Sequence, residues 1–343
     1  MRKISVIFKQ ASEIELRRSS VPSPGEGEVL VQTHMSAISP GSEMLVYRGQ
    51  FPLGLALDDN IPALSRKFKY PLKYGYASVG RIIGVGRSVP KSRLNQKVFC
   101  FHPHESHYVI GQDQPIPIPA DIDPTEALFL PNMETSVNFL MDGRPVIGET
   151  VVVFGQGIVG LLTTALLAMF PLNALVTLDR FSIRREKSLK AGARISLDPD
   201  RPHVLEDLSA AIGTGSGDGG VDLVYEITGN PEALNQAIAI AGFGTRIVVG
   251  SWYGSKKAQL NLGAGYHRNR ICLISSQVSS LSPAFSGRWS KLRRLDAAWD
   301  MIRRARPAGL ITHRFDVLQA QEAYKLLDKK PQEAIQVILT YDQ

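Results

Sequence analysis

Apolar and polar positions divide the chain into two parts with different periodicities. Short β-like runs, broken by proline and glycine, fill residues 1–130 and predict a β-rich, barrel-like module. From about residue 131, strand-like runs alternate with helical ones, beginning with the apolar run Val151–Phe154 and the helical stretch 158–169. Six such strands, the last at 271–276, predict a doubly wound parallel sheet and therefore an α/β fold.

Three further segments set the limits of these parts. Residues 54–73 are polar and irregular, so we expect a surface excursion there. The glycine-rich run 213–220 is typical of a flexible helix-to-strand connection. After residue 280 the pattern changes to a helix and a strand pair, which we expect to fold back on the first module. The predicted domains are 1–130 completed by 281–343, and 131–280.

Composition indicates a soluble globular protein, because 44% of the residues are hydrophobic and 21% are charged. Residues 1–10 lack the long apolar core of a signal peptide and are typical of a first strand. The apolar stretch Gly160–Leu178 is interrupted by Pro171, so we interpret it as a buried helix and a buried strand, not as a membrane span. Cys100 and Cys272 lie in separate apolar segments, which predicts two buried, reduced thiols and a cytoplasmic location.

The net charge of +7 does not by itself indicate a nucleic-acid partner. The densest basic run is Arg288–Arg306, where apolar residues recur at helical spacing, and its cations are expected on the wet face of an amphipathic helix. Those apolar residues are Leu292, Leu295, Trp299 and Ile302. We find no aromatic or motif support for binding of DNA or RNA.

The stretch VFGQGIVGLL, residues 153–162, carries the strongest functional signal. Its glycines form a G-x-G-x-x-G pattern that follows an apolar strand and opens a helix. Gly155 allows a tight turn, Gly157 lets a pyrophosphate approach the backbone, and Gly160 lets helix and strand pack closely. The free N–H groups at the start of the helix, which includes Ile158 and Val159, would face the phosphates.

Asp179 ends the next predicted strand, 19 residues after Gly160. A carboxylate there would accept hydrogen bonds from the adenosine ribose and repel a 2′-phosphate, which predicts NAD as cofactor. Arg180, Arg184 and Arg185 follow at once and would tolerate a 2′-phosphate, so NADP stays possible. A solvated start of a helix is the alternative interpretation, and it suits Arg185 better than the other two.

The order of β-rich module, dinucleotide domain and return resembles the medium-chain dehydrogenase/reductase superfamily, which includes the zinc alcohol dehydrogenases. The resemblance rests on PGSEMLVYRG (40–49), YGYASVGRIIGVG (74–86), GETVVVFGQGIVGLL (148–162), DRFSIRREKSLKAGA (179–193) and VDLVYEITGNPEALNQAIAIAGFGTRIVVG (221–250). It implies a Rossmann domain with a GroES-like catalytic domain, and a homodimer. It also implies that four residues lie along the path of the cofactor to its nicotinamide: Thr135, Thr228, Gly229 and Gln277.

The chain departs from the zinc-dependent members of this superfamily at the metal. Where those enzymes have a cysteine before a Gly-Thr-Asp-like turn, this chain has Ser39-Pro40-Gly41-Ser42-Glu43. Their Gly-His-Glu is Gly75-Tyr76-Ala77 here, and their third ligand falls near Pro131. Catalytic zinc needs three protein ligands, and none of these positions supplies one, so we expect no metal.

A substitute metal site in HPHESH, residues 102–107, is the alternative. His102, His104 and Glu105 cannot all face one way along a strand, which argues against it.

Within the superfamily, ISPGSE, PNMETSVNFLMDGRPVIGETVVVFGQGIVGLL and YHRNRICLISSQVSS resemble the bacteriochlorophyllide 3-hydroxyethyl dehydrogenase branch. That resemblance implies oxidation of a secondary alcohol to a ketone.

Without zinc, a side chain must handle the hydroxyl proton. By the resemblance, Ser42 and Glu43 stand where zinc enzymes keep a hydroxyl and an acid, Tyr76 replaces the ligand histidine, and His104 lies beneath it. Each has a structural alternative: Ser42 and Glu43 would cap a helix that starts at Met44, Tyr76 would be core, and His104 would satisfy a backbone carbonyl. Glu134 is a further candidate for the same cleft.

The sequence therefore predicts an NAD-dependent, zinc-independent dehydrogenase that acts on a small-molecule secondary alcohol. Two alternatives stay open. A zinc-free enoyl or quinone reductase would use NADPH, and a dinucleotide sensor would bind NAD(H) without turnover.

Overall fold

The computed structural model describes residues 2–58, 60–212 and 220–341. The chain forms two compact units, one from the described residues of Met1–Pro131 and Arg306–Gln343 and one from those of Asn132–Ala305. The glycine-rich connection predicted at 213–220 lies outside the described residues except for Gly220.

The first unit contains a strand, β3, whose side chains alternate between core and surface. In β3, Val29, Val31 and Thr33 are buried, which is the period of two expected for a strand with one covered face. The elements are β1 (Arg2–Gln10), β2 (Glu13–Ser20), β3 (Glu28–Ile38), α1 (Ser42–Tyr47), β4 (Ser78–Val85), β5 (Lys97–Cys100), β6 (His107–Gly111), β7 (Ile116–Pro117) and α2 (Pro124–Ala127).

The second unit alternates strands and helices. Its elements are α3 (Leu130–Gly143, which leads into it), β8 (Thr150–Phe154), α4 (Ile158–Leu167), β9 (Ala174–Leu178), α5 (Ser182–Lys190), β10 (Ile195–Leu197), α6 (Val204–Ile212), β11 (Val221–Glu226), α7 (Pro231–Ile240), β12 (Ala241–Val249), α8 (Gly265–Arg268), β13 (Cys272–Ser275) and α9 (Lys291–Ala305). The strands pair in parallel in the order β10-β9-β8-β11-β12-β13. The predicted doubly wound parallel sheet is confirmed.

The chain then returns to the first unit as β14 (Ile311–Asp316), α10 (Ala320–Lys329) and β15 (Gln336–Thr340). These strands extend a mixed sheet in the order β14-β15-β3-β4-β5-β7, with β6 paired to β3. The return starts at Arg306 and not at 281, because α9 belongs to the second unit. The α/β class, with a Rossmann-like sheet and a mixed β-sheet domain, is confirmed.

Residues 54–73 are not a surface excursion. Leu57, Ile61, Leu64 and Phe68 are buried in the main core of the first unit, where they pack with Tyr47, Tyr74 and Tyr324 among others. The apolar residues are spaced irregularly because the segment contains a short 3-10 helix at Pro62–Leu64 and two isolated β-bridges, Ala56–Lys67 and Leu72–Phe8, so no simple period marks them.

Two further expectations about the second unit hold only in part. The amphipathic helix is present as α9, with Trp299 and Ile302 buried and with Arg293 and Arg303 exposed. Two residues reverse the expected faces: Leu292 is 73% exposed and Arg294 is 1% exposed, because the Arg294 guanidinium is held by polar groups of α3. Cys272 is exposed because it lies on the edge strand β13, whereas Cys100 is buried as expected.

Among the described residues, no helix has both the length and the apolar character that crossing a bilayer requires.

Candidate active site

The glycine turn has the backbone geometry that its sequence predicts. Gly155 has φ +91°, and a Cβ there would lie 2.8 Å from the Ile227 carbonyl oxygen. A Cβ on Gly160 would lie 1.9 Å from the Gly155 carbonyl oxygen. A side chain is therefore excluded at both positions by neighbouring backbone.

Gly157 is different, because it is open. The nearest atom to a Cβ there is Nη1 of Arg184, at 4.0 Å. Gly157 is the N-cap of α4 and makes no side-chain cap, so the first N–H groups of the helix, at Ile158 and Val159, lack that cap. This opening at a helix N-terminus fits a phosphate group.

The turn lies where the strand order of the sheet reverses. β8 is the first strand, and its neighbours β9 and β11 lead the chain to opposite sides of the sheet. Ligands of doubly wound folds bind at the carboxyl ends of the strands at such a point. The turn after β8 and the segment Thr228–Gly229 after β11 both stand at this edge.

Asp179 is buried at the end of β9 and is bound to the glycine turn. Its Oδ2 accepts a hydrogen bond from the Gln156 N–H at 2.7 Å, and its Oδ1 accepts one from the Phe181 N–H at 2.9 Å. Each carboxylate oxygen has a second lone pair, so both retain capacity for a ribose hydroxyl. The carboxylate is thus fixed by backbone groups before any ligand binds.

The three arginines after Asp179 have different surroundings. Arg180 forms a bidentate ion pair with the exposed Asp200, and Arg185 donates to the Asp179 carbonyl and to Asp198. Arg184 lies at the turn, with Nη1 3.9 Å from Asp179 Oδ2 and its guanidinium over the Phe181 ring. Burial lowers the pKa of Arg184, and the Asp179 charge partly offsets this.

The residues expected near the nicotinamide all belong to the second unit. Thr135 lies on α3, and Gln277 is exposed just after β13. Gly229 has φ +71° and donates its N–H to Ser251 Oγ at 2.8 Å. Thr228 donates both its N–H and its hydroxyl to Oε1 of Glu226, at 2.8 and 2.5 Å.

Sequence reasoning missed two groups that shape this end of the sheet. Glu226 is fully buried at the end of β11, where the Tyr253 hydroxyl also donates to its carboxylate. The sequence signal for it is an acidic residue at the end of an otherwise apolar strand. Arg294 donates to Glu134 Oε1 at 3.0 Å and to Asn138 Oδ1 at 2.6 Å. It also donates to the Val278 and Ser280 carbonyls, so it ties the segment after Gln277 to α3. Glu134, a candidate for the substrate cleft, is paired with this arginine.

In the first unit, Tyr76 has hydroxyl neighbours and partial exposure. Its phenol donates to Ser39 Oγ at 2.6 Å, and Ser42 Oγ lies 3.5 Å away. Burial raises the pKa of Tyr76, while the hydrogen bonds to Ser39 and Ser42 lower it. Ser39 was not among the sequence candidates, although it stands in the stretch that contains Ser42 and Glu43.

Glu43 and His104 have no exposed surface and bind each other. His104 Nε2 lies 2.9 Å from Glu43 Oε2. Direct contact of either with a substrate does not fit this burial. Ser42 and Glu43 do not cap α1, because the helix begins at Ser42 with Gly41 as its N-cap and no side-chain cap hydrogen bond. Glu43 Oε1 instead accepts the N–H of Ser39, which precedes the helix, at 2.8 Å.

The donor groups of the first unit do not fit a zinc ion. The predicted ligand positions hold Tyr76 and non-ligating neighbours, and no group of three or more His, Cys, Asp or Glu side chains converges within the described residues. In HPHESH, His104 turns to Glu43, whereas Glu105 binds Lys3, Lys73 and Ser5. His102 stacks on Tyr108 with ring centroids 3.6 Å apart.

Comparison with known proteins matches residues 159–295 to the family model of zinc-binding dehydrogenases. This match covers less than half of the chain and does not include Ser39–Glu43 or Gly75–Ala77. It contains α4 except Ile158, and the strands β9 to β13 with the acidic end of β9, but not β8, Gly155 or Gly157.

The similarity to individual proteins extends further along the chain. The starvation-sensing protein RspB of Escherichia coli K12 is 21% identical over 99% of both chains. (R,R)-butanediol dehydrogenase of Bacillus subtilis is 23% identical over 78% of this chain and 81% of its own. A crystal structure of an alcohol dehydrogenase, RspB of E. coli CFT073, in complex with NADH superposes with a TM-score of 0.80 at 19% identity, covering 99% of each chain.

At this identity the structural likeness shows the fold. The family match and the named dehydrogenases support the predicted class of enzyme, an oxidoreductase. Residues 159–295 are therefore similar to the zinc-binding dehydrogenase family, and the whole chain is similar in sequence to RspB and to named dehydrogenases.

Proposed function

We propose that the protein is an NAD-dependent, zinc-independent dehydrogenase that interconverts a secondary alcohol and a ketone. The observation that carries the proposal is the Tyr76 phenol, hydrogen-bonded to Ser39 Oγ at 2.6 Å, at the position where the resembled zinc enzymes have a ligand histidine. By that resemblance, a phenol that carries a proton would take the place of a zinc ligand.

The residues of the second unit fit a dinucleotide. Gly157 and the N-terminus of α4 would receive the pyrophosphate, and Asp179 would accept the ribose hydroxyls. Thr135, Thr228, Gly229 and Gln277 remain candidates for the nicotinamide half. When bound, NAD+ accepts the hydride from the alcohol carbon.

Tyr76 would move the proton of the same reaction. Oxidation of the alcohol releases one hydride from carbon and one proton from the hydroxyl, and reduction of the ketone takes up both. Because burial raises the pKa of Tyr76, the phenol is protonated at neutral pH and can donate its proton to a ketone oxygen. Oxidation needs the phenolate, so its rate should rise with pH.

NAD is favoured over NADP because the Asp179 carboxylate would face a 2′-phosphate. Arg184 favours the second candidate, an enoyl or quinone reductase that uses NADPH, since its guanidinium lies 3.9 Å from Asp179 Oδ2. A ratio of kcat/KM for the two cofactors separates the two functions. A dinucleotide sensor predicts tight NADH binding with no turnover of any substrate.

The substrate class rests on resemblance. The branch that acts on a hydroxyethyl group of a chlorin makes such an alcohol the first compound to test, followed by simple secondary alcohols and vicinal diols. The homodimer and the cytoplasmic location also stay predictions.

The test combines metal analysis with turnover. Purified protein treated with EDTA should reduce NAD+ with a secondary alcohol, or oxidise NADH with its ketone, as fast as untreated protein does. About one zinc per chain, together with loss of turnover on chelation, would contradict zinc independence.

A further inference from the structure

A buried carboxylate in the first unit collects hydrogen bonds from three segments of the chain. Glu43 Oε1 accepts a hydrogen bond from the Ser39 N–H at 2.8 Å. Its Oε2 lies 2.9 Å from His104 Nε2 and accepts a hydrogen bond from the Tyr324 hydroxyl. Three donors satisfy the oxygens of a carboxyl group that is out of contact with water.

His104 continues this chain on its other side. Its Nδ1 lies 2.7 Å from Ser36 Oγ, and Ser36 Oγ lies 2.9 Å from the Tyr341 hydroxyl. One assignment of protons satisfies every member: His104 donates from Nε2 to Glu43 and accepts at Nδ1 from Ser36, which accepts from Tyr341. Both ring nitrogens of His104 are therefore occupied, which fixes the plane of the imidazole.

The imidazole also touches the backbone next to Tyr76. Gly75 has φ +103°, and a Cβ there would lie 2.5 Å from His104 Nε2. The ring therefore occupies the space that a side chain at position 75 would need. The imidazole therefore limits the position of the backbone immediately before Tyr76.

Ser39 joins the same buried pair to the phenol. Its N–H donates to Glu43 and its Oγ accepts from Tyr76. We propose that Glu43 and His104 are positioning residues that fix the Tyr76 phenol, through Ser39 on one side and Gly75 on the other. This inference rests on the proposed function of Tyr76.

The charged and titratable groups that face Tyr76 make this role measurable. Burial raises its pKa, hydrogen bonds to Ser39 and Ser42 lower it, and the negative charges of Glu43 and Asp58 raise it. Tyr74 packs edge-on against its ring at 6.4 Å. Removing the Ser39 hydroxyl and removing the Glu43 charge should therefore move the ionisation of Tyr76 in opposite directions.

The experiment compares pH profiles of kcat for Ser39→Ala and Glu43→Gln. We expect kcat to fall about tenfold in each, as for loss of one hydrogen bond in the reacting geometry, with the NADH dissociation constant unchanged. For ketone reduction, kcat should fall at high pH, where Tyr76 loses its proton. This alkaline limb of the profile should move to higher pH in Ser39→Ala and to lower pH in Glu43→Gln. A purely structural role would lower stability without opposite shifts.

Matched controls come from the same unit. Ser78→Ala removes another buried hydroxyl, and Glu105→Gln neutralises another buried carboxylate, 3% exposed. Neither substitution should move the alkaline limb of the kcat profile. If Glu43→Gln does not fold, Ser39→Ala against Ser42→Ala decides, because Ser42 lies 3.5 Å from the phenol and should give the smaller shift.

The outcomes separate this inference from the proposed function. Full turnover in Tyr76→Phe would overturn the role of Tyr76 itself. Loss of turnover in Tyr76→Phe, with unchanged profiles in Ser39→Ala and Glu43→Gln, would overturn only the positioning role.

Discussion

The glycine turn of the second unit and the buried Glu43–His104 pair of the first unit differ in how far apart in the sequence their residues lie. The turn is local: Gly155, Gly157 and Gly160 lie within six residues, and backbone atoms of the turn itself forbid a side chain at Gly160. The pair is assembled from distant segments, since Glu43 binds His104 61 residues away. A short sequence motif can thus specify a turn suited to a dinucleotide, whereas residues that position a side chain such as Tyr76 come together only when the whole unit folds.

The largest expected effect tests the local side of this comparison. Gly160→Ala places a Cβ 1.9 Å from the Gly155 carbonyl oxygen, so the backbone of the turn must shift. We expect NADH affinity to fall by more than about a hundredfold and the free energy of unfolding to fall by roughly 1–3 kcal/mol. Fluorescence titration with NADH and denaturant unfolding measure the two effects.

Gly157→Ala is the matched control, because a Cβ there meets nothing closer than 4.0 Å. It should unfold as the wild type does and lose only cofactor affinity. Unchanged NADH affinity in Gly157→Ala would show that the opening at Gly157 is not a ligand site.

A smaller effect is expected at Asp179. Asp179→Ser removes the ribose acceptor and should weaken NAD binding about ten- to a hundredfold, or roughly 1.5–3 kcal/mol, while NADP is relatively favoured beside Arg184. Asp179→Asn is the control, since it keeps an acceptor for the Gln156 N–H. A wild type that already prefers NADP would refute this interpretation of Asp179.

The smallest effect is expected at His102, two residues before His104 in the chain. Burial lowers the pKa of His102 to about 4, partly offset by Glu105. Between pH 4 and its ordinary value near 6.5, the unfolded chain binds the extra proton, so the contribution of neutral His102 is complete above pH 6.5 and lost on acidification. From pH 7 to pH 5 it should cost about 2 kcal/mol of unfolding free energy.

His102→Gln removes this proton from both states, so its unfolding free energy should depend less steeply on pH over that range. Parallel pH dependences for the two proteins would mean that the folded imidazole is readily protonated.

The sequence predicts most of the second unit because its signals are local. Strands β8, β9 and β11 are short apolar runs, and the glycines and Asp179 follow them at fixed spacing. It predicts less of the first unit. Glu43 and His104 are named from the sequence, but their burial is not, because it depends on Tyr324, which lies 281 residues from Glu43. Arg294 is misplaced on a wet face for the same reason, since its partners Glu134 and Asn138 are far along the chain.

We propose above that a protein hydroxyl, that of Tyr76, carries the proton of a hydride-transfer reaction. Tyr76→Phe removes that hydroxyl with little change of shape, so steady-state turnover of EDTA-treated protein on a secondary alcohol or its ketone tests the claim most directly. We predict that kcat falls roughly a hundredfold or more while the NADH dissociation constant stays at the wild-type value. Turnover of Tyr76→Phe at nearly the wild-type rate would contradict the claim.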